Sequence, residues 1–147
     1  PLATTYTPNL LNHEEGIDDN QTATTAAISA FITSAEFDLD DGHQFNFIWR
    51  VMPDITFDGS TADSPSATMT LFPLKNSGSG YNSPASVGGD DNGAITRSAT
   101  VPVEKYTEQI NTRVRGRQLS VKVASSTSGV QWQLGTPRID MRPDGRR

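Results

Sequence analysis

The sequence predicts an all-β fold, either an antiparallel β-sandwich or a barrel-like sheet, or else blades that complete part of a larger β-propeller-containing subunit. Three observations carry this. Apolar residues fall in short runs with a period of two, clusters of Gly, Pro, Asn, Asp and Ser separate those runs, and a helical period is almost absent. At 147 residues the chain is about one domain long.

Residues 1–26 are polar and turn-rich ("TPNLLNHEEGIDDNQT") and read as an irregular leading segment. Residues 27–147 read as a single all-β domain. In "QFNFIWRVM", Phe45, Phe47, Trp49 and Val51 fall on one face and Gln44, Asn46 and Arg50 on the other. Ile48 and Met52 interrupt the polar face, which suits a strand covered on both sides. "ATMTLF", "QINTRV", "QLSVKV" and "VQWQL" alternate in the same way, and "AISAFIT", "EFDL", "ITF", "ITRSATV" and "RIDM" are shorter candidates. Between them, "LDDGHQ", "FDGSTADSPS", "SSTSG" and "RPDG" have turn chemistry. Residues 76–93 are too long for a hairpin turn and too poor in apolar side chains to pack. They read as an exposed loop, placed either for partner contacts or with no role. Trp49 and Trp132 alternate with apolar neighbours, so both are expected in the core.

The composition is 34% hydrophobic, with no cysteine, and the mean hydropathy is -0.48. Disulfides and thiol chemistry are therefore excluded. No apolar run approaches the roughly 18 residues of a membrane span, so no membrane insertion by this segment is expected. The chain begins at Pro1 without an initiator Met, which points to a piece of a longer protein.

Charge is sharply divided. Residues 1–94 carry 13 acids against Arg50 and Lys75, and residues 95–147 carry 10 bases against Glu104, Glu108, Asp140 and Asp144, within a net charge of -5. Such opposition can be satisfied inside one domain or head-to-tail between copies in a ring. Eight of the ten bases are arginines, whose planar fork suits fixed pairing with carboxylates.

Nucleic-acid recognition is not the expectation. Arg113, Arg115 and Arg117 alternate along "RVRGR" and form a candidate phosphate track, but no aromatic residues interleave with them and the chain is acidic. An acidic wall that DNA only slides past remains compatible with this balance. Catalysis is not expected either. "HEEGI" lacks the second histidine of a zinc-protease helix, "SGSGY" lacks nucleophile-elbow spacing, and paired carboxylates sit beside glycine in turns. The acidic turn "DLDDG" offers Asp38, Asp40 and Asp41 as weak cation ligands, but its glycine comes a place early and no glutamate closes the loop. No cofactor is expected.

"HEEGIDDN", "ITSAEFDLDDG", "PDITFDGST", "YTEQINTRVRGRQLSVKV" and "GVQWQLGTPRIDMRPDGRR" together resemble the C-terminal region of a large virion protein of short-tailed bacteriophages. That family is known as the tail nozzle, tail tubular protein B or stabilisation protein. "RGRQ", "WQLG" and "PDGRR" carry most of the resemblance, which covers nearly the whole chain. It implies a non-enzymatic, β-rich, propeller-containing tail subunit that forms a hexameric ring around the channel through which DNA leaves. Its implied partners are copies of itself, other tail proteins and, transiently and without sequence preference, genomic DNA. The implied location is the virion tail. No active site carries over.

On this reading Arg113, Arg115, Arg117, Arg142, Arg146 and Arg147 pair with acids of the first half across a domain or subunit interface. The competing reading leaves the tail solvated and places Gly116 in a β-bulge. Three other functions stay open. One is a receptor- or carbohydrate-binding module of a phage tail, which would need exposed aromatics. Another is a depolymerase, which would need a carboxylate pair in a cleft. The third is a β-rich capsid or decoration protein.

Overall fold

The structure, a computed structural model, describes residues 2–4, 10–12, 16–20, 24–74 and 98–146, the first two groups as backbone only. The loop expected over 76–93, and Arg147, lie outside the described residues. The fold is all-β, and every strand pairing is antiparallel. No helix occurs among the described residues, so none is long and apolar enough to cross a membrane.

Four short strands occupy the leading segment: β1 (Leu2–Thr4) pairs β2 (Leu10–Asn12), and β3 (Asp18–Asp19) pairs β4 (Ala26–Ala27). The larger sheet is built on β12 (Gln118–Ser125). Along one side of it runs β9 (Ser66–Leu74), followed by β10 (Ala99–Glu104). Along the other side run β5 (Ala30–Thr33) and then β6 (Phe37–Asp38). The smaller sheet has β7 (Asn46–Met52) at its centre, between β11 (Ile110–Gly116) and β14 (Arg138–Pro143). A two-residue ladder joins β8 (Ile55–Thr56) to β13 (Gln133–Leu134).

These sheets close over one another because each offers an apolar inner face. Met69, Leu71, Val103, Leu119 and Val123 of the larger sheet meet Ile48, Val51, Ile110 and Val114 of the smaller, with Leu39 and Phe57 filling the margins. The arrangement is sandwich-like, without barrel closure.

Strand β7 departs from the expected phase. Its buried residues are Asn46, Ile48 and Val51, while Trp49 is 39% exposed. The cause is a double irregularity. Against β14, consecutive Asp140 and Met141 face Arg50 and Ile48, so Trp49 is the additional residue on β7. Against β11, Asn111 and Val114 face the same two residues, so there the additional residue lies on β11. A bulge resets the alternation, which turns Ile48 into the core and Trp49 out of it. The expectation of a core Trp49 is thereby corrected. Trp132 does pack partly buried against the core, donating its Nε1–H to Ser125 Oγ at 2.9 Å.

The bulge expected at Gly116 lies instead at Asn111–Val114. Gly116 pairs regularly with Asn46 and is the point where the chain leaves the smaller sheet, β12 beginning two residues later in the larger one. A Cβ there would stand 2.9 Å from both Pro73 Cβ and the Gln118 carbonyl. Glycine is required by this close approach of two backbones.

Candidate functional site

The outer face of the smaller sheet is the most chemically distinctive surface among the described residues. Alternation on β11 buries Ile110, Thr112 and Val114 and turns Asn111, Arg113 and Arg115 outward. Register then aligns three strands into rows: Arg138 beside Met52, Asp140 and Asn111 flanking Arg50, and Arg142 and Arg115 flanking Phe47. Trp49 stands between the last two of these rows. Side chains more than sixty residues apart in sequence therefore share one face.

Each row has its own chemistry. The Arg50 guanidinium pairs with Asp140. Arg142 lies over the Phe47 ring at 5.3 Å. Beyond Asn46 the chain continues the sheet, as Phe45 N–H donates to the Gly145 carbonyl at 2.8 Å and Asp144 N–H to the Phe45 carbonyl at 2.7 Å. Phe45 is then covered by two guanidinium groups, Arg115 at 4.1 Å and Arg117 at 4.8 Å from the ring centroid. Arg115 also pairs with the Asp144 carboxylate and donates to its carbonyl at 2.9 Å, while Arg117 donates to the Arg146 carbonyl at 2.9 Å. Arg117 Nε is buried without a hydrogen-bond partner among the described residues, at the cost of a lost donor. "RGR" and "PDGR" thus form a clamp around one aromatic ring.

Stability from this clamp is expected to come from stacking more than from charge. The Arg115 and Asp144 side chains are 37% and 45% exposed, and ion pairs so wetted contribute under about 1 kcal/mol and weaken with salt. A double-mutant cycle of Arg115→Ala with Asp144→Ala should give a coupling below about 1 kcal/mol. Arg115→Ala alone should lose about 1–2 kcal/mol, because the Phe45 contact goes too. Chemical denaturation of the four proteins measures both quantities.

The sequence-predicted residues divide. Arg115, Arg117 and Arg142 come together around Phe45 and Phe47, Arg113 is exposed on the same face, and Arg146 is exposed and contributes its carbonyl. The carboxylates that meet Arg50 and Arg115, Asp140 and Asp144, both belong to the C-terminal half of the chain.

The weak cation ligands are not brought together. Asp38 Oδ1 accepts from Gln118 Nε2 at 2.8 Å, Asp41 Oδ1 accepts from the His43 N–H at 2.8 Å, and Asp40 takes a left-handed conformation at φ 63°. No group of three His, Cys, Asp or Glu among the described residues could hold a metal. The turn is instead fixed by Leu39, whose N–H donates to the Arg117 carbonyl at 2.8 Å and whose carbonyl accepts from buried Asn46 Nδ2 at 3.0 Å.

A second pair of motifs also meets. In "PDIT" and "WQLGT", Ile55 pairs with Leu134, Gly135 N–H donates to the Asp54 carbonyl at 2.8 Å, and Thr136 N–H donates to Asp54 Oδ2 at 2.6 Å. These bonds tie the two segments together. Sequence reasoning missed the aromatic members of the site, Phe45, Phe47 and Trp49, because only the bulged register shows which of them share the arginine face.

Comparison with known protein families and with curated proteins finds no match to this chain.

Proposed function

We propose that this chain is a non-enzymatic structural module of a bacteriophage tail, a nozzle or tube component that assembles with copies of itself and other tail proteins around the DNA exit path. The phage setting rests on the resemblance of "RGRQ", "WQLG" and "PDGRR" to the tail-nozzle family. The assembly role rests on one observation, the outer edge of the larger sheet. There β5 and its surroundings expose Ile28 (51%), Phe31 (67%), Ile32 (50%) and Phe37 (39%). No proline or charge interrupts Ala30–Thr33. Soluble monomers blunt such edges, as Pro102 does on β10 at the opposite side of this sheet. An unblunted apolar edge suits contact with another chain.

Electron microscopy with mass determination on the full-length assembly containing this chain tests the reading. A ring with a central channel, and this domain at a subunit contact, is the expected result. A monomer or a trimeric spike overturns it. The exposure of Trp49 favours a second reading, a glycan-binding module of the same tail, which binding to a glycan array would support.

A further inference from the structure

From the outer face of the smaller sheet we infer a binding surface for single-stranded nucleic acid, with Trp49 as the base-stacking platform and Arg113, Arg138 and Arg142 as the phosphate contacts. The inference rests on the geometry of this face and stands apart from the ring reading.

The first argument is charge. This face carries five arginines, Arg50, Arg113, Arg115, Arg138 and Arg142. Of the carboxylates beside them, Asp140 and Asp144 are engaged by Arg50 and Arg115, and Asp54 and Glu108 line a pocket with Arg138 at one end. Five arginines against four carboxylates leave a local positive surplus, carried by Arg113 and Arg142, on a chain whose net charge is -5. A surplus that opposes the charge of the whole molecule is confined to its face, so it attracts an anion there without making the rest of the protein sticky.

The second argument is the aromatic component. Arginines alone form a phosphate track, and bases add a requirement for flat apolar faces. Trp49 supplies one, 39% exposed between the Arg50 row and the Phe47 row. Its exposure is fixed by the bulge, which holds it out of the core. Arg142, an exposed residue, adds a second planar group, its guanidinium held over Phe47 at 5.3 Å. Guanidinium planes and aromatic rings are the groups on which unpaired bases stack.

The third argument is shape. A β-sheet face with side chains in rows is open and shallow, which suits a strand laid across it with its bases turned down. Stacked base pairs of a duplex keep their faces from Trp49. A single strand is therefore the better fit.

Fluorescence anisotropy of a labelled oligothymidylate of about 12 nucleotides against the full chain tests this. Binding is expected at low salt, weakening about twentyfold between roughly 50 and 200 mM salt, as three phosphate contacts require. Trp49→Ala should weaken it about tenfold. Trp49→Phe should keep most of the affinity while removing the quenching of tryptophan fluorescence that accompanies stacking. Combining R113Q, R138Q and R142Q should flatten the salt dependence, and Lys122→Gln, on β12 of the larger sheet beside Phe31, should change nothing. The inference is overturned by absence of binding at low salt, or by binding indifferent to Trp49→Ala and to the triple variant. Duplex DNA bound as tightly as the single strand overturns it as well. So does self-association that the triple variant abolishes while the oligonucleotide goes unbound, which would assign the face to an acidic neighbouring copy.

Discussion

Ile48→Ala is expected to lower the unfolding free energy by about 4 kcal/mol, and Ile48→Val by about 1 kcal/mol. Ile48 is 0% exposed at the centre of β7, with Val114 on one flank and Met141 on the other, and it belongs to the core shared by both sheets. Truncation leaves a cavity whose walls are two sheets fixed by their own ladders, so little relaxation fills it. Its carbonyl also accepts from Thr112 Oγ1 at 3.1 Å, a bond that stays intact in either variant and confines the loss to packing. Trp49→Ala, one residue along, should cost only about 1–2 kcal/mol, because much of the indole is already in water. Urea unfolding of the three variants gives the comparison. A larger loss at Trp49 than at Ile48 would mean that the bulged register is wrong.

Gly129→Ala is expected to cost about 2–4 kcal/mol. Gly129 has φ 74°, and an added Cβ would stand 2.8 Å from Thr61 Oγ1 and 3.0 Å from Ala62 N. Backbone conformation and space both forbid a side chain. The same residue ties three segments together: its N–H donates to both Asp18 carboxylate oxygens, at 2.8 and 2.9 Å, and its carbonyl accepts from Thr61 N–H at 2.9 Å and Ala62 N–H at 3.0 Å. Moving it would loosen all four bonds. Gly145 provides the control, with φ 80° but nothing within 4 Å of an added Cβ. Gly145→Ala should therefore show only the conformational term of about 1–2 kcal/mol. Equal losses at the two sites, measured by thermal unfolding, would remove the steric and hydrogen-bonding part of the argument.

The strands were legible in the sequence because alternation and turn chemistry are local signals. "ATMTLF" lies in β9, "QLSVKV" in β12 and "RIDM" in β14, and "LDDGHQ" is a turn. The phase of "NFIWRVM" was not legible. Its bulge arises from pairing with strands that the local pattern does not contain, and one added residue exchanges the inner and outer faces. The candidate site was half legible for the same reason. Arginines announce themselves by type, whereas their contact with Phe45, Phe47 and Trp49 depends on a register between residues 46–52, 110–116 and 138–143. Asp54 and Gly129 gave still less warning, since their roles are backbone contacts across loops.

The central position of β7 also governs how fast this fold can form. Its bond from Thr112 spans 64 residues and its Arg50–Asp140 bond spans 90, so neither flank is sealed by a nearby hairpin. Large loops must close before these contacts reward the chain, which places folding in the slow range of roughly milliseconds to seconds typical of non-local β topologies. During that interval "NFIWRVM" has two open edges and an apolar face. Dilute refolding, or a partner that shelters this strand, will give the higher yield of native protein.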